Sequence, residues 1–218
     1  MYASTMSITV TGDTPYFRLA GPKVEYRFHV DSAGDLVHDH FGAPTGVDRT
    51  RVDPPLHGWG SRLNENRREF PDHGRGDFRL PAIRVRHGEG RGHTTTRFAY
   101  VSHSVEDGKP PLEGLPATFG ESDSVSTLIV HLEDAKAKLG VDLRYSIFPA
   151  TNAIVRSFSI TNNGNITAEI ERAASFSFDL DVGEWDMIYM SGDWTREGTK
   201  GRRRVGYGTQ GWVGVQHS

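Results

Sequence analysis

Strict two-residue alternation is the feature that most constrains the fold of this chain. In residues 23–30 (KVEYRFHV), apolar and polar side chains alternate without exception. Because successive side chains of a strand point to opposite faces, this pattern predicts a half-buried strand. The same alternation returns in residues 141–147 and, over its longest run, in residues 167–180.

Shorter strands are predicted between these runs, each bounded by turn residues such as Asn162–Asn163–Gly164. They cover residues 35–41, 82–86, 94–101, 127–132, 153–161, 187–190 and 212–215. No segment shows the 3.6-residue periodicity of an amphipathic helix. Many short strands separated by turns predict an all-β fold, an antiparallel β-sandwich. The last strand stops in mid-pattern, which would leave an unpaired edge, so we expect a supersandwich-like fold that is incomplete at its C-terminus.

Composition excludes several classes of function. A formal net charge of -3 disfavours a nucleic-acid partner, and the absence of cysteine excludes disulfides and thiolate metal sites. No apolar run approaches the roughly 20 residues of a membrane span, so no membrane partner is expected. The N-terminus lacks the apolar core of a secretory signal, which predicts a cytoplasmic location but leaves secretion open. No cofactor is expected.

The stretch Glu69–Ala82 (EFPDHGRGDFRLPA) has a composition that no regular strand or helix needs. Its glycines and prolines shape the backbone, and Asp77 and Arg79 lie two residues apart, on one side of an extended chain. We interpret Asp77 and Arg79 as a charged pair that orders its own loop. Together with Glu69, they are predicted to form a structural motif.

Five segments in the same order resemble one known family. They are LVHDHFG (36–42), REFPDHGRGDFRLPA (68–82), FAYVSHSVEDGKPPLEGLPAT (98–118), VDLRYSIFPATNAIVRSFSITNNG (141–164) and YMSGDWTRE (189–197). The chain resembles the N-terminal domain of glycoside hydrolase family 36, the α-galactosidases. The resemblance implies a β-supersandwich that precedes a (β/α)8 barrel carrying two catalytic aspartates. No segment of residues 1–218 resembles that barrel.

The resemblance therefore predicts a non-catalytic domain of an enzyme that hydrolyses terminal α-galactosides. Its expected roles are docking to the barrel, assembly of a homo-oligomer and shaping of the substrate pocket. An α-galactoside would be bound only through a barrel that this chain lacks. Two alternatives from other classes are a free-standing carbohydrate-binding sandwich and a structural interaction domain.

Independent catalysis is the weaker hypothesis. Glycoside hydrolysis needs two carboxylates, about 5–5.5 Å apart for retention and about 6.5–9.5 Å apart for inversion. The candidates by sequence proximity are Glu65, Glu69, Asp72 and Asp77. Spacing within a loop sets no such geometry, so a structural role for these carboxylates is favoured.

A metal site at His38 and His40 is also disfavoured. Histidines two residues apart on a strand share a face, but zinc needs at least a third ligand. With ten histidines in the chain, one such spacing arises easily by chance. Two strand-surface histidines are the favoured interpretation, and no metal is expected.

The irregular run of residues 43–66 is the predicted functional loop, because a loop of this length in a compact domain is uncommon. Trp59 either contacts sugar, with His57, Arg62 and Asn64, or fastens the loop to the sandwich. The resemblance implies that such a loop reaches the active site of a neighbouring subunit. The predicted substrate-pocket residues are Asp48, Asp53 and Trp59. A second polar and aromatic cluster, interpreted as a packing surface for the barrel, comprises Asp193, Trp194, Arg196 and Glu197.

Overall fold

The computed structural model describes residues 7–46, 67–77, 79–88, 92–114, 117–180, 183–206 and 208. The chain divides into two compact units, residues 1–179 and residues 180–218. No described helix is long and apolar enough to cross a membrane.

Strands dominate both units. They are β1 (Ile8–Thr11), β2 (Tyr16–Ala20), β3 (Glu25–Val30), β4 (Leu36–Gly42), β5 (Ile83–His87), β6 (Ala99–Asp107), β7 (Ser126–Asp134), β8 (Leu139–Phe148), β9 (Ala153–Asn162), β10 (Ala168–Ala173), β11 (Asp186–Ser191) and β12 (Thr199–Arg204). All their pairings are antiparallel. The all-β, sandwich-like prediction is confirmed.

The first unit is built on two four-stranded meanders, β1–β2–β3–β4 and β6–β7–β8–β9, with the two-stranded pair β5–β10 beside them. Their inner faces share one apolar core. Phe28 of the first sheet stacks on Tyr145 of the second, with ring centroids 4.9 Å apart. Strands β1 and β2 were not predicted, and β6 runs six residues past the predicted end at Val101.

Strand β3 differs from the prediction, because both of its faces are buried. Tyr26 and Phe28 belong to the apolar core, as the alternation indicates. On the opposite face, Glu25, Arg27 and His29 are also buried. Polar partners make this burial tolerable, since buried polar and charged groups need partners. Glu25 lies 2.5 Å from Arg18 Nε, and His29 Nδ1 lies 2.8 Å from Asp39.

The longest alternating run was predicted as one strand over residues 167–180, and this was wrong in extent. Strand β10 ends at Ala173, with a register shift between Ile170 and Arg172, and residues 174–180 form no strand. For Arg172, whose charge interrupts an otherwise apolar face, the sequence predicts a sheet margin or a carboxylate partner. Arg172 lies on β10 of the two-stranded sheet, and its Nε donates to the backbone carbonyl of Pro81 at 2.7 Å.

The second unit contains the β11–β12 hairpin. The three consecutive arginines at 202–204, a pattern typical of a solvated turn or strand end, form the end of β12, where Arg202 and Arg204 pair with Asp186. The predicted strand at 212–215 lies outside the described residues. Ile188 and Met190 are exposed and lie two residues apart on β11, so they share a face.

Candidate functional site

The glycines and prolines of the stretch from Glu69 to Ala82 determine its backbone conformation. A short 3-10 helix, His73–Arg75, ends at Gly76, whose φ of 75° is in the left-handed region that favours glycine. A side chain on Gly74 would collide with the backbone carbonyl of Thr96. The backbone N–H of Ala82 donates to the carbonyl of Pro71 at 2.8 Å, which closes the loop.

Glu69 is the centre of a buried polar cluster inside the sandwich. The hydroxyl of Tyr26 lies 2.8 Å from both carboxylate oxygens, and the hydroxyl of Tyr145 donates to Oε2 at 3.0 Å. His38 Nδ1 lies 2.9 Å from Oε1, and Arg156 Nη1 lies 3.2 Å from Oε2. We call these five residues the Glu69 centre. It joins β3, β4, β8 and β9 through one carboxylate.

The electrostatics of the Glu69 centre keep its carboxylate ionised. Burial alone would raise the pKa of Glu69, but the charge of Arg156 and the hydrogen bonds from His38 and Tyr26 outweigh it and hold the pKa below its usual value. Burial, reinforced by Glu69, raises the pKa values of Tyr26 and Tyr145 well above normal. Both hydroxyls therefore stay protonated as donors.

Arg156 completes the centre from β9. Its guanidinium carbon lies 5.0 Å from the centroid of the Tyr145 ring, a cation–π contact. Nη2 donates to the backbone carbonyl of Glu69, and Nη1 donates to that of Ser177 at 3.3 Å. Arg156 thus connects both the Glu69–Ala82 stretch and the segment after β10 to the second sheet.

Asp72 lies in a second buried charged cluster, near the end of the β3–β4 hairpin. Its Oδ2 accepts the backbone N–H of Phe98 at 2.7 Å, and Oδ1 accepts from Arg68 at 3.3 Å. Asp35 pairs with Arg75 at 2.5 Å in the same region. Burial raises the pKa of Asp72 to about 6 and the nearby Asp35 carboxylate adds to this, while the Phe98 N–H and Arg68 oppose it.

Asp77 and Arg79 form the pair that their spacing suggests. Arg79 Nη2 lies 2.8 Å from Asp77 Oδ2, and the backbone N–H of Arg79 donates to Oδ1 at 3.0 Å. Burial would raise the pKa of Asp77, but Arg79 outweighs it and lowers the pKa. Arg79 also reaches Asp179 at 3.1 Å, so the pair links the loop to the chain after β10.

An open cleft of about 470 Å³ adjoins the Glu69 centre. Its walls are mainly aromatic: Tyr26, Phe41, Tyr145, Phe176 and Phe178. Most polar groups along it have partners within the chain: both tyrosine hydroxyls and Arg156 Nη1 bind Glu69, and Asn152 Oδ1 accepts from the N–H of Lys23 at 2.6 Å. Arg156 Nε is buried without a hydrogen-bond partner among the described residues. The cleft therefore offers mainly apolar surface.

Several predicted site residues have different outcomes. Asp48, Asp53 and Trp59 lie outside the described residues, as do His57, Arg62, Asn64 and Glu65. His38 is buried against Glu69, so the interpretation of two strand-surface histidines was wrong for it. His40 Nε2 lies 3.0 Å from the carbonyl of Ala43. Among the described residues, no group of three or more potential ligands could hold a metal ion.

The second cluster lies in the turn between β11 and β12. The carbonyl of Asp193 accepts from Arg196 N–H at 2.8 Å, and Glu197 accepts from the N–H of Thr195 at 3.1 Å. Trp194 is 86% exposed. The polar members therefore hold the turn, while the indole is presented to solvent.

Sequence reasoning missed the partners of Glu69. The available signals were a hydroxyl or a cation within an otherwise apolar strand face, namely Tyr26, Tyr145 and Arg156. A buried tyrosine hydroxyl and a buried guanidinium each require a partner, and a carboxylate on another segment would supply it.

Comparison with known proteins settles the family. The model of the glycosyl hydrolase family 36 N-terminal domain matches residues 34–215. The chain belongs to this family. It is 49% identical to alpha-galactosidase 2 of Hypocrea jecorina over 208 residues, which cover 94% of this chain and 27% of that protein. It is 33% identical to alpha-galactosidase AgaA of Geobacillus stearothermophilus, covering 94% of this chain and 30% of that protein.

Solved structures agree with this membership of family 36. The fold resembles the crystal structure of the family 36 alpha-galactosidase AgaB from Geobacillus stearothermophilus, with a TM-score of 0.81 and 31% identity, over 94% of this chain and 29% of that one. The chain thus spans less than a third of the length of these relatives. The resemblance to an N-terminal domain inferred from the five segments is confirmed.

Proposed function

We propose that this chain is a non-catalytic β-sandwich of an α-galactosidase, which docks onto a catalytic barrel and supports oligomer assembly. The relatives are named as α-galactosidases, and the family model that matches residues 34–215 describes the N-terminal domain of family 36. The parent reaction would be hydrolysis of terminal α-galactosides. The aspartates that perform it would belong to the barrel.

The Glu69 centre is the observation that carries this proposal. A glycosidase carboxylate must face substrate, either as a nucleophile or with a proton to transfer. Glu69 is 1% exposed and bound by two tyrosines, a histidine and an arginine. Asp77 is bound by Arg79, and Asp72 by Arg68 and a backbone N–H. These carboxylates hold segments together.

Two exposed apolar surfaces support the docking role. One is the aromatic cleft, where Phe176 is 59% exposed. The other lies in the second unit, where Ile188, Met190 and Trp194 are exposed. Contiguous exposed apolar patches mark interaction surfaces in soluble proteins. The proposed pocket loop, with Asp48, Asp53 and Trp59, would extend the role to the substrate site.

Carbohydrate binding by the cleft is the second candidate, because sugars stack on aromatic walls such as those of Tyr26 and Phe178. A sugar also needs hydrogen-bonding groups for its hydroxyls. The tyrosine hydroxyls and Arg156 are already bound to Glu69. This arrangement favours apolar protein side chains as the occupants.

A chimeric enzyme tests the proposal. Residues 1–218 replace the matching segment of the Hypocrea jecorina relative, and hydrolysis of a nitrophenyl α-galactoside is measured. We expect the chimera to retain at least roughly a tenth of the parental kcat/KM, equivalent to a loss of no more than about 1.4 kcal/mol of transition-state stabilisation. The matched control is the same enzyme with the segment deleted, which should be inactive.

A folded but inactive chimera would contradict the docking role. Calorimetric titration of the 218-residue chain with raffinose addresses the second candidate separately. The proposal predicts no saturable heat. Saturable binding that is lost in Phe178→Ala would instead favour a carbohydrate-binding domain.

A further inference from the structure

The sequence contains one acceptor motif for N-linked glycosylation, at Asn165, Ile166 and Thr167. The motif is an asparagine, then any residue except proline, then a serine or threonine. Such a tripeptide also arises by chance, so its place in the fold decides whether it can carry a sugar. An oligosaccharide is bulky and hydrophilic, and it is tolerated only on an exposed side chain.

The motif lies in the turn between two strands. Strand β9 ends at Asn162 and β10 begins at Ala168. Asn165, Ile166 and Thr167 are all exposed, and Ile166 is exposed over 62% of its surface. Because none of the three side chains is buried, an oligosaccharide attached here displaces no core residue.

A different asparagine holds the backbone of this turn. Asn162 Nδ2 donates to the carbonyl of Ile166 at 2.9 Å, and Asn162 Oδ1 accepts the N–H of Gly164 at 3.0 Å. Within the described part of the chain, the side chain of Asn165 takes part in no hydrogen bond. Substitution on the Asn165 amide therefore removes no contact that shapes the turn.

We propose that Asn165 is the acceptor of an N-linked oligosaccharide when this protein passes through the secretory pathway. The amide nitrogen of Asn165 forms a bond to the anomeric carbon of an oligosaccharide carried on a lipid diphosphate. The bond from that carbon to the diphosphate oxygen breaks, and the lipid diphosphate leaves with the bonding electrons. The amide nitrogen loses one proton. Thr167 supplies the hydroxyl that the transferring enzyme requires.

The glycan is attached at the opposite end of β9 from the aromatic cleft. Ala153, Ile154 and Arg156, at the start of β9, line the cleft. At about 3.3 Å per residue, the strand from Arg156 to its end at Asn162 spans roughly 20 Å. Glycosylation of Asn165 is therefore compatible with docking at the cleft.

The proposal goes beyond the docking role and does not depend on it. Oligosaccharide transfer takes place in the secretory pathway, a location that the N-terminal sequence leaves open. A glycosylated turn must face solvent in the complete enzyme as well. The turn between β9 and β10 is therefore not expected to contribute to a docking interface.

Expression in yeast behind a secretion signal tests the proposal. The 218-residue chain is purified from cells and medium together, so that the result does not depend on release from the cell. Its intact mass is measured before and after treatment with peptide N-glycosidase. We expect a mass increase of one oligosaccharide, which the glycosidase removes while it converts the Asn165 amide to a carboxylate.

Four variants locate the sugar. Asn165→Gln and Thr167→Ala should each lose the oligosaccharide completely, because each destroys the motif. Thr167→Ser is the matched control, since it keeps the motif and should keep the sugar. Glu197→Asn, made in the Asn165→Gln background, places a second motif in the exposed turn between β11 and β12 and reports whether the host modifies this chain.

Two results would overturn the proposal. One is a native chain of unmodified mass beside a glycosylated Glu197→Asn control. The other is an oligosaccharide that persists in Asn165→Gln. Neither result affects the docking role, which is tested by the activity of the chimera.

Discussion

Glu69 and Asp72 lie three residues apart in one stretch, and both are buried. Their environments nevertheless shift the pKa values of the two carboxyl groups in opposite directions. Glu69 is surrounded by two hydroxyls, a histidine and an arginine, and its pKa is lowered. Asp72 has one backbone N–H, one arginine contact at 3.3 Å and a second carboxylate nearby, and its pKa is raised to about 6. The number of donors available per buried carboxylate therefore decides which protonation state the fold favours.

Glu69 and Asp72 also show how the Glu69–Ala82 stretch connects different parts of the sandwich. Glu69 joins the two sheets near the cleft, whereas Asp72 binds the segment that leads into β6. The contribution of Glu69 to stability is full at neutral pH and is lost in acid, because its partners favour the ionised carboxylate. The contribution of Asp72 increases as the pH falls, because protonation removes its buried charge. The predictions below separate these two effects.

Neutralising Glu69 is expected to have the largest effect. In Glu69→Gln, Arg156 loses its buried counter-charge, and the new amide N–H₂ faces groups that already donate. Removing one partner of a buried pair costs about 3–5 kcal/mol. Urea unfolding of the purified chain at pH 7 should show a loss of this size.

Asp77→Asn is the matched control for Glu69→Gln. Its partner Arg79 is a third exposed and also has Asp179, so the expected cost is about 1 kcal/mol. Similar unfolding free energies for the two variants would mean that Glu69 does not organise the core. The difference should also shrink below about pH 4.5, where Glu69 begins to protonate in the unfolded chain.

Asp72→Asn is expected to have a smaller effect, which depends on pH. Because the folded pKa of about 6 exceeds the unfolded value of about 3.9, the folded state binds the proton more tightly between these pH values. The contribution of this group to stability is therefore full below about pH 4 and is lost as the pH rises through 6. Asparagine cannot titrate, so the advantage of the native chain over the variant should fall by roughly 2–3 kcal/mol between pH 4 and pH 7.

Unfolding free energies measured at pH 4 and at pH 7 check the direction of this change in stability. A difference between native and Asp72→Asn chains that is flat, or that grows with pH, would contradict the assignment. Glu69→Gln, measured in parallel, should show the opposite trend, since its pKa is lowered rather than raised.

The fold could be predicted from the sequence wherever alternation and burial coincide. Residues 141–147 alternate, and they lie within β8, whose apolar face is in the core. In residues 167–180 the same pattern failed after Ala173, because alternation sets which side a residue faces but supplies no neighbouring strand to pair with. In β3 the polar face was predicted to be exposed, but it is buried, and partners such as Arg18 and Asp39 bind its polar groups.

The site was less accessible to sequence reasoning because its contacts are distant along the chain. Tyr26 and Tyr145 are 43 and 76 residues from Glu69, and no local pattern encodes such a meeting. His38 attracted a metal hypothesis from its spacing to His40, whereas its actual partner is Glu69. The Asp77–Arg79 spacing was informative, because a two-residue separation makes the contact local.

The central claim, that the carboxylates of this chain are structural, is tested most directly by measuring nitrophenol release from a nitrophenyl α-galactoside. The purified 218-residue chain is compared with the full-length Hypocrea jecorina relative at equal molarity. We predict no release above the buffer blank from the chain, with circular dichroism confirming that it is folded. A rate comparable with the relative, abolished by Glu69→Gln in a variant that remains folded, would contradict the account.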